Sequence, residues 1–318
     1  MIVQSIKRLP ILQLLVLLLA IFIFAFTFIA EPDQTKVPLS PFFSTVKLAN
    51  QGWFISIIGF FNFSFLLLLI FELSSLLRTH HFANDSRIAQ LFMLCILLFL
   101  FPGFFHNLSL VVSLYLLLRA LRLLFLIHTQ PFIFKELSWI ALYLSVASLW
   151  FPPAFLFGLI CYIGVLMQRG FYLKELLFYL IIFGLPYYFL YSAFFLIGVE
   201  VDYHYPFGEN VFSRDFNLFR GYLGLAFLGL FIFLSFFSFG LIAKEVLRSR
   251  AQFRSFYILL LGAFSYSLFI DYQVGVGMAL VPLMAIYAQS FQKIKRQWIV
   301  EAVLMIFLLA SIVSYFLV

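Results

Sequence analysis

Residues 176–198 read LLFYLIIFGLPYYFLYSAFFLIG, 23 positions without one Asp, Glu, Lys, Arg or His. A helix needs roughly 20 mostly apolar residues to cross a bilayer. This run is long enough, and it is apolar all round rather than along one stripe, the pattern of a helix that no aqueous surface touches. Pro186 interrupts it halfway and is the best kink candidate in the chain. Working outward, comparable runs cover about 9–30, 53–76, 88–105, 107–127, 137–150, 154–168, 218–243, 256–271, 273–290 and 298–318. The expected fold is all-α, a polytopic transmembrane bundle of about eleven helices. Residues 1–318 form one transmembrane domain with no soluble domain. Only Phe151, Pro152 and Pro153 separate 137–150 from 154–168. That pair is either two short spans joined by a tight turn or a re-entrant hairpin.

Composition agrees. The chain is 65% hydrophobic and 10% charged, whereas soluble domains carry about 25% charged residues. The net charge of +7 does not point to nucleic acid, because the basic residues sit in short loops between apolar runs. With the N-terminus cytoplasmic, sixteen of the 20 Lys and Arg fall inside. Only Lys36, Lys47, Arg214 and Arg220 fall outside. Basic residues resist translocation, so this asymmetry orients the chain with its C-terminus periplasmic, in a bacterial inner membrane. Lys7 and Arg8 precede an apolar run too long for a signal peptide, which reads as an uncleaved first span. Cys95 and Cys161 lie inside apolar runs with no CxxC and read as small buried hydrophobes.

Chemistry-bearing residues are sparse. Glu31 and Asp33 open the first outer loop, where carboxylates serve as catalytic base or hold a divalent cation, or simply end a helix in water. The second outer loop carries Asp202 and His204 among aromatics, suited to sugar or peptide contact or to an interfacial belt. Arg214 and Arg220 are candidates to bind a phosphate at the outer leaflet, with Asp271 as a partner. Arg119 and Arg122 lie on one face of the fourth span, placed to grip a lipid phosphate or to mark the inner boundary. Glu72, near the inner end of the second span, is within snorkelling reach of water. No metal site is expected. No cofactor is evident, a divalent cation entering only with a glycosyltransferase reading. Of five histidines, this topology puts three inside and two outside, so a four-histidine iron centre cannot assemble.

The stretches 116–122 (LLLRALR), 134–141 (FKELSWIA) and 147–154 (ASLWFPPA) resemble a family of uncharacterised polytopic inner-membrane proteins from Bacteroidota, over roughly residues 85–190. An arginine-ended helix, a short helix pair with a proline turn and a long helix with internal proline look more loosely like the membrane half of GT-C glycosyltransferases. That likeness implies a polyprenyl-phosphate sugar donor and an acid in the first outer loop, where Glu31 and Asp33 stand.

Three functions follow as expectations. The first is an integral inner-membrane subunit or assembly factor in envelope biogenesis. The second is a GT-C-like, polyprenyl-phosphate-dependent transferase. The third is a transporter or lipid flippase. Expected partners are the lipid bilayer, a polyprenyl-phosphate lipid or other envelope membrane proteins, and no nucleic acid.

Overall fold

The structure is a computed structural model of the 318-residue chain. It describes residues 52–79, 108–127, 133–152, 154–198, 254–264, 279, 281–283 and 286. Among these residues every regular element is a helix. In chain order they are α1 (Gly52–Thr79), α2 (Leu108–Ile127), α3 (Phe134–Trp150), α4 (Ala154–Arg169) and α5 (Leu173–Ile197), then the shorter α6 (Arg254–Phe264). Residues 279, 281–283 and 286 are also helical. α2 and α5 are long and apolar enough to cross a membrane. The expected spans 9–30, 88–105, 218–243 and 298–318 lie outside the described residues.

Local chemistry sets the helix ends. α3 begins with Leu137 N–H bonded to the Ile133 carbonyl at 2.7 Å, and Glu136 in its first turn suits the positive end of the helix dipole. It stops at Trp150 because two prolines follow. Phe151, before the first of them, adopts an extended conformation, as the residue preceding a proline must. The chain reverses there: Ala154 N–H bonds the Phe151 carbonyl at 2.9 Å and Phe155 N–H the Pro152 carbonyl at 3.0 Å. α4 and α5 each end on a glycine with positive φ, Gly170 at 91° and Gly198 at 73°, a conformation that closes a helix and that side chains resist. At roughly 1.5 Å per residue, α3 and α4 are each about 25 Å long, only slightly short of a ~30 Å hydrocarbon core. α3 starts three residues earlier than the apolar run at 137 suggests, because Lys135 and Glu136 are carried on its first turn.

Side-chain contacts give the direction of every helix. Phe65 meets Tyr115, and Glu72 meets Arg122, so α1 and α2 run parallel. Ser113 bonds Ala147 O near the start of α2 and the end of α3, which are antiparallel. Phe134 meets Phe178 and Ser148 meets Tyr187, so α3 and α5 are parallel. Tyr162 meets Tyr179 and Phe155 meets Phe183, making α4 and α5 antiparallel. Gly164 lies against Ser255 and Gly262 against Ile160, so α6 opposes α4. In the order of the expected spans these are the second, fourth, fifth, sixth, seventh and ninth. The even-numbered ones all run one way and the odd-numbered ones the other.

α3 is the central strut, packed most extensively on α2 and then on α5. The interior is leucine-rich, with Phe125, Phe157, Tyr179 and Phe256 as its largest fully buried side chains. Small residues bring the helices together. A Cβ added to Gly158 would lie 2.6 Å from the Phe183 ring, the close approach that glycine permits between membrane helices. The buried residues of α5, Tyr179 and Phe183, both precede Pro186. Beyond Tyr187 the helix outruns the α3–α4 turn, and Tyr188 (68%), Tyr191 (60%) and Phe195 (79%) are exposed.

A candidate intramembrane anion site

The α1–α2 contact brings three charged side chains together. On α2, Tyr115, Arg119 and Arg122 recur at spacings of four and three, so they share one face. On α1, Phe65 and Glu72 are seven apart and face them. Arg122 Nη1 donates to Glu72 Oε1 at 3.0 Å, and Arg119 Nε lies 3.5 Å from the same oxygen. Arg119 Nε donates to the Tyr115 hydroxyl at 3.1 Å, and its guanidinium carbon sits 5.5 Å from the Tyr115 ring centre. Tyr115 in turn packs edge-on against Phe65 at 6.0 Å.

The position of the cluster along α2 is unusual. Arg119 is the twelfth residue of the 20-residue α2, about 12 Å from its C-terminal end at roughly 1.5 Å per residue. Leu123, Leu124, Phe125, Leu126 and Ile127 still follow the arginines within the helix. Helical side chains lean toward the N-terminus, and Arg119 reaches back to Tyr115, away from that end. It therefore does not snorkel out along α2. An arginine among apolar side chains is costly unless it is paired, and Glu72 supplies the partner.

The charges do not cancel. Among the described residues one carboxylate faces two guanidiniums, leaving one positive charge. Glu72 is enclosed, its side chain 9% exposed, while the Arg119 side chain is 40% exposed and that of Arg122 33%. Each guanidinium has five N–H donors and no acceptor capacity. Among the described residues, the acceptors that reach Arg119 are the Tyr115 hydroxyl and Glu72 Oε1, both through Nε. Among the described residues its two terminal nitrogens meet no acceptor.

A second polar feature contains hydroxyls alone. Ser113 Oγ donates to Ala147 O at 3.0 Å, and Ser145 Oγ to Phe183 O at 2.6 Å. Ser148 Oγ donates to Ser145 O at 2.7 Å and accepts from the Tyr187 hydroxyl at 2.6 Å. The Tyr179 hydroxyl donates to Gly158 O at 2.8 Å. This ladder surrounds the proline of α5. Pro186 has no N–H for the carbonyl four residues back, and the helix is loosened there. Ser145 supplies a donor to the neighbouring Phe183 carbonyl. At the end of the bundle nearer the arginines, Glu136 Oε2 and both amide atoms of Gln168 are buried without a hydrogen-bond partner among the described residues.

Of the residues singled out from sequence, the structure brings Arg119 and Arg122 together, as their spacing implies, and adds Glu72 and Tyr115. Glu31, Asp33, Asp202, His204, Arg214, Arg220 and Asp271 lie outside the described residues. Among the described residues no group of three His, Cys, Asp or Glu side chains could hold a metal ion. Cys161 is a buried free thiol. The partnership of Glu72 was not legible, because it depends on parallel packing of two helices that are not adjacent in sequence. The tyrosine at 115, one turn before Arg119, was the available signal. No family model, curated protein or solved structure matches this chain.

Proposed function

We propose that this chain is an integral membrane protein of envelope biogenesis, acting as a subunit that holds a phosphate-bearing lipid at Arg119 and Arg122. The observation that carries this reading is a pair of part-exposed guanidiniums fixed by a buried carboxylate inside an apolar helix. Charged groups at such depth line ligand paths or meet counter-ions, and guanidinium matches a phosphate in charge and geometry. Apolar helices around the site suit an amphiphile, whose tails they cover while the arginines hold its head.

The alternating helix directions support the eleven-span arrangement, since one reversed helix would break its order. At about 25 Å each, α3 and α4 fit two short spans joined by a tight turn better than a re-entrant hairpin. With the basic residues inside, the N-terminus is cytoplasmic and the membrane is the bacterial inner membrane. The test is lipid co-purification. The full-length protein, extracted in mild detergent, is expected to retain phospholipid, and an Arg119→Ala, Arg122→Ala double variant to lose it. Equal retention by the two proteins sinks the reading.

A second reading, a polyprenyl-phosphate-dependent transferase, is favoured by the order of elements: arginine-bearing α2, hairpin α3–α4, proline-kinked α5. It places the chemistry at Glu31 and Asp33. Replacing both with Ala is expected to abolish an envelope glycan modification, and unchanged glycans in a stably inserted variant exclude it.

A further inference from the structure

We infer that the anion site is charge-matched to one negative charge, with Arg119 as the ligand-facing fork and Glu72 fixing the valence, so that it takes an amphiphilic phosphodiester rather than a phosphomonoester. This rests on the phosphate-lipid reading above and refines it.

The two arginines are not equivalent. Arg122 is committed: its Nη1 makes the short 3.0 Å bond to Glu72. Arg119 touches its neighbours through Nε only, at 3.1 Å to Tyr115 and 3.5 Å to Glu72. Nε is the side of the guanidinium nearest the chain, so bonding there holds the plane steady and leaves the terminal Nη pair without an acceptor among the described residues. Two parallel N–H groups are the donors that bind two phosphate oxygens together. Arg119 also has the more exposed side chain, at 40% against 33%. Tyr115, under the guanidinium, supports it as a stacking surface. Glu72 and Tyr115 are thus positioning residues, and Arg122, tied to Glu72, adds its charge beside the fork.

The enclosed carboxylate then sets the charge of the partner. Two guanidiniums and one carboxylate sum to a single positive charge. In a medium of low dielectric an uncompensated charge is costly, so the bound state of lowest cost is the neutral one. A phosphodiester head brings one negative charge. A phosphomonoester approaches two and leaves an excess beside Glu72.

The experiment uses the full-length protein in detergent micelles and native mass spectrometry. The probes are dioleoyl phosphatidylglycerol, a singly charged diester, dioleoyl phosphatidic acid, a monoester, dioleoyl phosphatidylcholine, a zwitterion, and inorganic phosphate. The wild type is expected to retain phosphatidylglycerol over phosphatidic acid and phosphatidylcholine, and inorganic phosphate is expected not to displace it. Glu72→Gln, which raises the site by one charge, is expected to shift preference toward phosphatidic acid by roughly tenfold. Arg119→Lys keeps the charge but loses the fork. It is expected to weaken phosphatidylglycerol retention severalfold at unchanged helical content, so the proposal stays testable if Glu72→Gln does not fold. An unchanged lipid order in Glu72→Gln, or full retention by Arg119→Lys, overturns the inference while leaving phosphate-lipid binding in place. Displacement by inorganic phosphate overturns the lipid as ligand, and absence of any bound phosphate lipid overturns both readings.

Discussion

Glu72 holds two helices together with one side chain, so its removal acts on stability as well as on ligand. Glu72→Ala leaves two guanidiniums without their anion inside the bundle. Removing one partner of a fully buried pair costs about 3–5 kcal/mol, and an exposed pair is worth less than about 1. With the arginines a third or more exposed, we expect a loss of about 2 kcal/mol, read as a lower midpoint of thermal unfolding in detergent. A midpoint equal to wild type would show that α1 and α2 do not depend on the pair. Gly158 belongs to the same scale. Because a Cβ there would meet the Phe183 ring at 2.6 Å, Gly158→Leu is expected to destabilise by about 1–3 kcal/mol, the range for overpacking. Gly184, with nothing within 4 Å of its Cβ position, serves as the control: Gly184→Ala is expected to leave the midpoint unchanged or raise it slightly. Sequence alone separates these glycines poorly, since both sit in apolar runs. The difference comes from which helix lies opposite.

At the scale of the element, α5 buries a narrow stripe. Its first half packs Tyr179 and Phe183 into the bundle with Leu177 and Ile181 exposed beside them, and its second half carries exposed Tyr188, Phe189, Tyr191 and Phe195. Pro186 divides them, and the Ser148–Tyr187 bond ties the helix to α3 just beyond it. Interhelical bonds between side chains in membranes are worth about 0.6 kcal/mol on average and up to about 1.7. A double-mutant cycle of Ser148→Ala and Tyr187→Phe is expected to give coupling within that range. Additive effects would mean that the hydroxyls merely fill space. The helix and its proline were readable from the 176–198 run. The ladder was not, because Ser145, Ser148 and Tyr187 become neighbours only when α3 and α5 lie parallel. Short hydroxyl side chains in an apolar run carry no periodic signal strong enough to announce a partner.

For the whole molecule, the pattern of apolar runs was enough to anticipate that the described residues are helical, with two helices of membrane length. It also anticipated the turn at Phe151–Pro152. What it could not supply was the order of packing, since helices of similar greasiness are interchangeable until their small and polar residues are matched. The orientation gives a direct outcome. A cysteine at Phe171, exposed between α4 and α5, is expected to react with a membrane-impermeant maleimide only from the cytoplasmic side. A cysteine at Pro152, in the α3–α4 turn, is expected to react only from the periplasmic side. The opposite result at either position would invert the proposed sidedness.

The parallel course of α1 and α2 also bears on how the chain is made. Glu72 and Arg122 are 50 residues apart, so the acid enters the bilayer before either cation has been synthesised. At about 5–20 residues per second, the nascent protein carries a lone carboxylate among lipid tails for several seconds. A translation product halted between the two helices never acquires the arginines that pair with Glu72.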